Sequence, residues 1–593
     1  MRTTPASATV RRLATQGHLL GDRWVASSAA GVHEHRYAAT GEVQAEVGLG
    51  GAADIDVAVS AARRAQPAWA ALGADGRRHV LLTLADLLDA HRDEAAELGT
   101  LDNGTPVSVL RPGRAAASWV RYYAELAVTL QPEALDVPRG TATWRREPYG
   151  VIGAIPPWNG SMAGMGQKCG PALAAGNAVV AKPPELAPFG MLRFAELALE
   201  AGVPPGVLNV VVGGPEAGRA LAGHRGVDKL TFTGGAVAAR QVMAAAAGHL
   251  TPLALELGGK SPAVVCADAD LDAAAGMVAR AGTGLLSGQG CALPTRTYVH
   301  RDVYDEFVAR VLAIVDDLVV GDPLDTATFV GPVVTESALE RILGVIDRAR
   351  ADGATLLSGG SRLGGDLADG WFVAPTVFGD VDHASALATE EVFGPAQALL
   401  RFSTDQEAVT LANDTTYGLA AYVFTRDPDR LERLVGGIDA GVVMANGGGQ
   451  LGPTTPFGGV KQSGFGREGG RAGYDEMVRG EDGPGRSVAS WAGGVPVTRA
   501  TDGSGAAGAD TLGAREVPRH LVECSSTTPA CGQRSRMGGR VPIDRTCAPD
   551  ACSPPASPSS SSRRWAPRWN RGPRRRERPL YMPRQPSRPG SAA

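Results

Sequence analysis

Hydrophobic and polar positions along this chain follow two rhythms. Over 54–72 and 77–99, Ala, Leu, Val and Arg recur with a period near 3.6, which predicts two helices, the first capped by Asp54. From residue 150 the rhythm changes. Residues 150–155, 177–181, 207–212 and 228–232 are short apolar runs of β-forming residues, separated by helical stretches at 162–174, 188–201 and 215–222. Strand, helix, strand in repetition predicts a parallel, doubly wound sheet. A second set follows, with apolar runs at 263–266, 297–300, 394–402, 419–425 and 441–445. Helices at 269–283, 302–318, 405–413 and 427–437 and a segment at 339–352 lie between them. Residues 127–148, where Thr141, Thr143 and Trp144 alternate between turn residues, predict a β-hairpin standing apart. The fold class is α/β: two doubly wound α/β lobes with a protruding β-hairpin.

The apolar rhythm stops near Arg479. Beyond it, Ser557-Pro558-Ser559-Ser560-Ser561-Ser562 and Arg574-Arg575-Arg576 sit among scattered Pro, Gly and Arg. Such a segment buries too little surface to offset its ordering entropy, so 480–593 reads as a disordered tail.

Charge separates the same two regions. From Gly480 onward there are 18 Arg, no Lys and 9 acids, so the tail carries +9; with the whole chain at −4, the first 479 residues carry −13. An acidic body does not suit a nucleic-acid or membrane-surface partner. No apolar stretch reaches the roughly 18 residues of a spanning helix. The N-terminus, with Arg2, Arg11 and Arg12 but no apolar core, does not read as a secretory signal. The body's three cysteines, Cys169, Cys266 and Cys291, show no paired spacing, which points to a reducing, cytoplasmic setting. In the tail, Cys524, Cys531, Cys547 and Cys552 do not repeat the spacing of common zinc sites, so no metal is expected.

Candidate chemistry centres on Cys291 in Gly288-Gln289-Gly290-Cys291, and on Glu256 in the run Leu255 to Pro262. A thiol among small residues can be approached, and a glutamate followed by Gly258-Gly259 can swing. Together they offer a nucleophile and a base. Two literal GxGxxG matches, Gly447-Gly449-Gly452 and Gly464-Gly466-Gly469, lack the strand-turn-helix context of a dinucleotide fingerprint. Lysine is scarce: five among 58 basic residues, at 168, 182, 229, 260 and 461.

Other runs fall in order around this pair: Pro156-Pro157-Trp158-Asn159, Gly170 to Asn177, Lys182-Pro183-Pro184-Glu185, Phe232-Thr233-Gly234, Glu390 to Pro395 and Pro456 to Gly464. With them, residues from about 18 to 479 resemble the NAD(P)-dependent aldehyde dehydrogenase superfamily, whose lysine positions all five lysines match. The resemblance implies a cofactor-binding domain over 15–126 and 149–257, an oligomerisation hairpin over 127–148 and a catalytic domain over 258–479. It implies Cys291 as nucleophile, Glu256 as the base that activates water, Asn159 as an oxyanion donor and Lys168 as a proton relay. It places NAD on Trp158, Lys182, Glu185, Gly214, Gly218, Phe232, Thr233, Gly234, Gly235, Leu257, Glu391 and Phe393. The implied partners are a small-molecule aldehyde and further copies of the chain, in a homodimer or homotetramer.

A carboxylate at 185 accepts from a ribose 2′-hydroxyl but repels a 2′-phosphate, so NAD is expected over NADP. Gly235 stands where the family often has serine and Ala239 where it often has glycine, which removes one phosphate contact. Gly160, Gly164 and Gln167 replace bulkier residues after Asn159, and Gly447 to Leu451 replace aromatics in a late loop. A wide mouth, and a bulky or hydrophobic aldehyde, are expected. CoA-acylating relatives typically lack the equivalent of Glu256, so its presence favours release by water. The rivals are a catalytically impaired NAD-binding protein and a hydrolase working through Cys291 without NAD. In relatives a last strand follows the position of Arg479; none is expected here. The Arg, Pro, Ala, Ser and Gly of the tail match a GC-rich gene read out of frame, which resequencing its 3′ end checks.

Overall fold

A computed structural model describes residues 7–137, 140–447, 452–479 and 488–491 of the protein. Its architecture rests on two sheets. In spatial order the eight-stranded sheet runs Arg23–Val25, His18–Leu20, Leu208–Val210, Ala178–Ala181, Val151–Ile155, Lys229–Thr233, Leu253–Glu256 and Gly464–Phe465. The five strands from Leu208–Val210 to Leu253–Glu256 are mutually parallel. The seven-stranded sheet runs Thr355–Ser358, Thr376–Gly379, Ala396–Phe402, Arg296–His300, Pro262–Val265, Ala420–Phe424 and Val442–Ala445. All its neighbours are parallel except the first pair.

The central strands are short apolar runs because both faces of each sheet are covered there. Ile152 and Ala154 join one core cluster while Val151 and Ile155 join another. Val264 and Tyr298 likewise face one cluster of the second sheet, and Ala263, Val265 and Val299 the opposite one. The doubly wound α/β expectation therefore holds for both lobes.

Several boundaries differ from the sequence reading. The expected helix over 77–99 is two helices, Gly73–Ala90 and Arg92–Asn103. The helix Pro112–Thr129, not anticipated, carries the chain through 127–129, so the hairpin starts at Glu133. The expected helix over 269–283 is α-helical only over Leu271–Ala279 and continues as a π-turn over Arg280–Gly284.

The hairpin itself pairs Glu133–Val137 with Gly140–Trp144. The expectation that no strand follows Arg479 is corrected: Val488–Trp491 pairs antiparallel with Gly140–Trp144. A short stretch of extended backbone is enough to complete that edge. The remaining tail positions, 480–487 and 492–593, lie outside the described residues, as do 448–451 of the glycine-rich loop.

Candidate active site

The nucleophile candidate is presented by an unusual turn. After the π-turn comes the 3-10 segment Leu285–Gly288, in which Leu286 and Ser287 take positive φ. Gly288 also has positive φ (72°), and a side chain there would come within 2.0 Å of the Gly394 carbonyl. A side chain on Gly290 would meet Leu293 at 2.8 Å. These glycines let the turn pack, and do more than expose the thiol. Gln289 locks the turn, its Oε1 accepting from Val334 N–H at 2.9 Å.

Glu256 ends a parallel strand whose backbone is held on both sides. Gly234 N–H donates to Glu256 O at 3.1 Å, and the antiparallel strand Gly464–Phe465 presses on the other side. A side chain at Gly464 would approach the Leu255 carbonyl to 2.0 Å, so this contact requires glycine. The Glu256 carboxylate packs over Gly458, where a Cβ would lie 2.8 Å from Oε1. The freedom of Glu256 is therefore in its side chain, since Gly258 and Gly259 are themselves packed, the first against Glu391 and the second against Cys291 O. Neither buried carboxylate oxygen accepts a hydrogen bond from the described residues. Burial, with Glu468 nearby, pushes the Glu256 pKa up to about 9, partly opposed by Lys168 and Arg467.

Both residues face one cavity of about 320 Å³, shared with Trp158, Asn159, Lys182, Phe232, Thr233, Gly234, Gly235, Leu257, Glu391 and Phe393. Lys168, Glu185, Gly214 and Gly218 do not line it. Asn159 lies in the 3-10 turn Trp158–Gly160, and its Nδ2 donates to Gln289 O at 2.8 Å, two residues before Cys291. Burial and the Glu391 and Glu256 carboxylates push the Cys291 thiol up to about 12. Phe393 has φ 49°, a conformation costing about 1–3 kcal/mol in a non-glycine residue. Its ring meets Trp158 edge-on at 5.6 Å. Glu391 accepts from Gly259 N–H at 3.1 Å, and burial raises its pKa.

The opposite wall suits a dinucleotide. The helix Ala236–Ala247 starts at Gly235 with no side-chain cap and no acid in its first turn, and nothing lies within 4 Å of a Cβ placed on Gly235. Such an end, with its free N–H groups, favours a pyrophosphate. Lys182 Nζ donates to Gly213 O at 2.7 Å, and burial lowers its pKa to about 8. Glu185 turns toward Gly214, whose Cβ position is 3.6 Å from Oε1. Gly218 sits inside the helix Pro215–Ala222, its N–H donating to Gly214 O at 3.2 Å.

Lys168 lies behind the cavity, donating to Thr231 Oγ1 at 3.0 Å and to Glu468 Oε1 at 2.9 Å. The sequence reading overlooked Glu468, which Gln167 also contacts. Its signal was an acid set between Gly466 and Gly469-Gly470, the segment set aside as a false GxGxxG match. Those three glycines all take positive φ, which folds the carboxylate inward. Among the described residues no His, Cys, Asp or Glu cluster could hold a metal, and no helix is long and apolar enough to cross a membrane.

Comparison with known proteins bears on the family and the fold. A model of the aldehyde dehydrogenase family matches residues 24–481. A putative aldehyde dehydrogenase from Burkholderia cenocepacia is 38% identical, covers 81% of this chain and 99% of its own, and superposes with a TM-score of 0.78. PnpE from Pseudomonas sp. WBC-3, also solved with nicotinamide adenine dinucleotide, is 37% identical, with 80% and 97% covered and a TM-score of 0.77. An E. coli NADP dependent enzyme is 35% identical, with 81% and 99% covered and a TM-score of 0.77.

Proposed function

Because the chain belongs to the aldehyde dehydrogenase family, we propose that it converts an aldehyde, NAD and water to a carboxylic acid and NADH through a covalent adduct on Cys291. The observation that carries this reading is that Cys291, Glu256 and Asn159 line the same cavity as the uncapped helix end at Gly235.

Cys291 Sγ attacks the aldehyde carbon and leaves an oxyanion. The Asn159 amide, with one N–H on Gln289 O, offers its other N–H to that oxygen, and the Cys291 backbone N–H offers a second. An oxyanion donor of this kind is typically worth about 2.7–4 kcal/mol of barrier. Lys182, Glu185, the Gly234-Gly235 helix end, Glu391 and Phe393 would hold NAD, which when bound would supply the hydride acceptor needed to oxidise the adduct to a thioester. Glu256 then takes a proton from water, which attacks the thioester carbon and frees the thiol and the acid. Unpaired and buried, its carboxyl has a pKa of about 9, so its base form grows in as pH rises toward that value. Lys168 and Glu468 carry the proton away from Glu256.

NAD is the preferred form because the Glu185 carboxylate repels a 2′-phosphate. Water is the acceptor rather than CoA because a base is present to activate it. The substrate is bulky: side chains on Gly160 or Gly164 would make only ordinary contacts with Pro157 or Pro156, so the glycines there leave open space. The protein works in the cytoplasm as a homodimer or homotetramer joined through the hairpin.

The test is a panel of aldehydes with NAD or NADP, followed as reduced-cofactor absorbance. Turnover with NAD, abolished in Cys291→Ala and not accelerated by CoA, is expected. NAD binding without any turnover overturns the proposal in favour of a binding protein, and aldehyde or ester consumption without NAD overturns it in favour of a hydrolase.

A further inference from the structure

Lys168 and Glu468 stand behind Glu256, but their side chains are only 2% and 6% exposed, so a proton handed to them has not yet reached solvent. With cofactor and aldehyde in the cavity, the route past Cys291 is filled. Strand pairing offers another way out. The strand Lys229–Thr233 lies between Val151–Ile155 and Leu253–Glu256, parallel to both. Leu230 and Phe232 join one core cluster, so alternation sends Lys229, Thr231 and Thr233 to the opposite face. Thr233 is paired with Glu256, which places the Glu256 side chain on that same face. Polar side chains therefore form a column along the sheet, from Glu256 at the cavity end to Lys229 at the other.

Each level of the column has its own partner. Lys168, on the helix Ser161–Ala174, donates to Thr231 Oγ1 at 3.0 Å and to Glu468 Oε1 at 2.9 Å. Lys229 donates to Glu476 Oε2 and lies 5.3 Å from the centre of the Tyr149 ring. Glu476 Oε1 accepts from Arg467 N–H at 3.2 Å. It also lies 3.0 Å from the Cβ position of Gly466, which is itself 2.9 Å from the Cβ of Ala254, the residue paired with Thr231. Glu476 thus sits beside the middle of the column as well as its end. The field agrees: after burial, Glu468 and Glu476 raise the Glu256 pKa, and Lys168 and Arg467 lower it. The Glu476 side chain is 21% exposed, so the column meets solvent there.

We propose that Thr231, Glu476 and Lys229 form the outer part of a proton exit, which carries the proton of Glu256 along the sheet to solvent at the end away from the cavity. This rests on the dehydrogenase reading above. The Lys168 ammonium has three N–H donors and commits two of them. It passes one proton to Thr231 Oγ1 while Thr231 releases its own hydroxyl proton toward Glu476. The neutral Lys168 amine then takes the proton held by Glu256. Glu476 gives its proton to solvent, and every residue regains its starting form with one proton moved. Side chains two positions apart on a strand are separated by roughly 6.6 Å. One bridging water spans such a gap between Thr231 and the Lys229–Glu476 pair. Lys229 holds the Glu476 carboxylate at the outer end.

The experiment mixes the full-length protein, NAD and an aldehyde from the panel in a stopped flow, reading NADH absorbance and a pH-indicator dye together in weak buffer. Glu476→Gln should form its first NADH at the wild-type rate and then turn over about 10-fold more slowly, with proton release lagging. That loss is smaller than the roughly 100-fold or more that follows removal of a general base itself. Added formate or imidazole, small enough to ferry protons, should restore much of the rate in the variant and leave the wild type unchanged. Thr231→Val should behave alike. Lys229→Met combined with Glu476→Gln leaves no unpaired buried lysine, and should show the same defect and the same rescue. Wild-type turnover in Glu476→Gln and in the double variant overturns the exit while leaving the dehydrogenase reading intact. So does a defect that neither formate nor imidazole relieves, because that marks a structural role. A wild type that oxidises no aldehyde in the panel overturns both.

Discussion

Lys168 Nζ and Glu468 Oε1 meet at 2.9 Å with both side chains almost wholly buried, immediately behind the Glu256 carboxylate. The pair is separated by 300 residues in sequence, and its field acts on Glu256 in opposite directions: Lys168 lowers that pKa and Glu468 raises it.

Lys168→Met should therefore do two things. It leaves Glu468 buried without its cation, a loss of about 3–5 kcal/mol, visible in denaturant unfolding. It also removes the charge that restrains the Glu256 pKa, so the alkaline rise of thioester hydrolysis should move to higher pH. A variant as stable as wild type would show that the pair contributes little.

Glu256→Gln tests the raised carboxyl directly. The folded pKa of about 9 lies above the ordinary value of 4.5, so between those limits the native state retains a proton that the unfolded chain has lost. Stability is full below about pH 4.5 and declines as pH rises toward 9. A neutral amide removes that cost. Thermal melts should show Glu256→Gln gaining on wild type at pH 8 and not at pH 5, while steady-state turnover collapses and a pre-steady-state burst of NADH survives. An equal offset at both pH values would mean that the carboxyl is not held protonated.

Burial and two nearby carboxylates hold the Cys291 thiol protonated at neutral pH in the cofactor-free protein. Glu391→Gln removes one of the negative charges and should speed iodoacetamide labelling of Cys291 about 3-fold or more at pH 7.5, because more thiolate is present. Added NAD should speed it in the wild type, since the oxidised nicotinamide brings positive charge. Unchanged rates in both experiments would remove the electrostatic account.

The width of the passage can be probed at Gly164. A Cβ there would sit 3.5 Å from Pro156, an ordinary contact, so Gly164→Ala should fold. The ratio of kcat/KM for bulky aldehydes over acetaldehyde should drop about 3-fold or more. A preserved ratio would place the substrate route elsewhere.

Much of the architecture was legible because buried parallel strands leave an unmistakable mark: short, uninterrupted apolar runs such as Val151–Ile155, bounded by helices. Cys291, Glu256 and Asn159 were legible because each sits in a run whose neighbours restrict it. Other elements gave weaker signals. Val32–Arg36 and Val43–Gly48 form a hairpin of largely polar, partly exposed strands, and Thr355–Ser358 is an edge strand whose pattern does not separate it from a loop. Val488–Trp491 was missed because its pairing energy comes from a partner strand some 350 residues earlier, which no local window contains.

The sequence by itself determined the fold class and the main alternation of strands and helices, and it singled out Cys291 and Glu256 as candidates, since these depend on periodicity and on residue type. Only the tertiary structure decided which polar groups end up paired. Glu468 became a buried partner of Lys168 through the packing of segments distant in the chain. The same packing, by excluding water around Glu256, raises the pKa of its carboxyl to about 9.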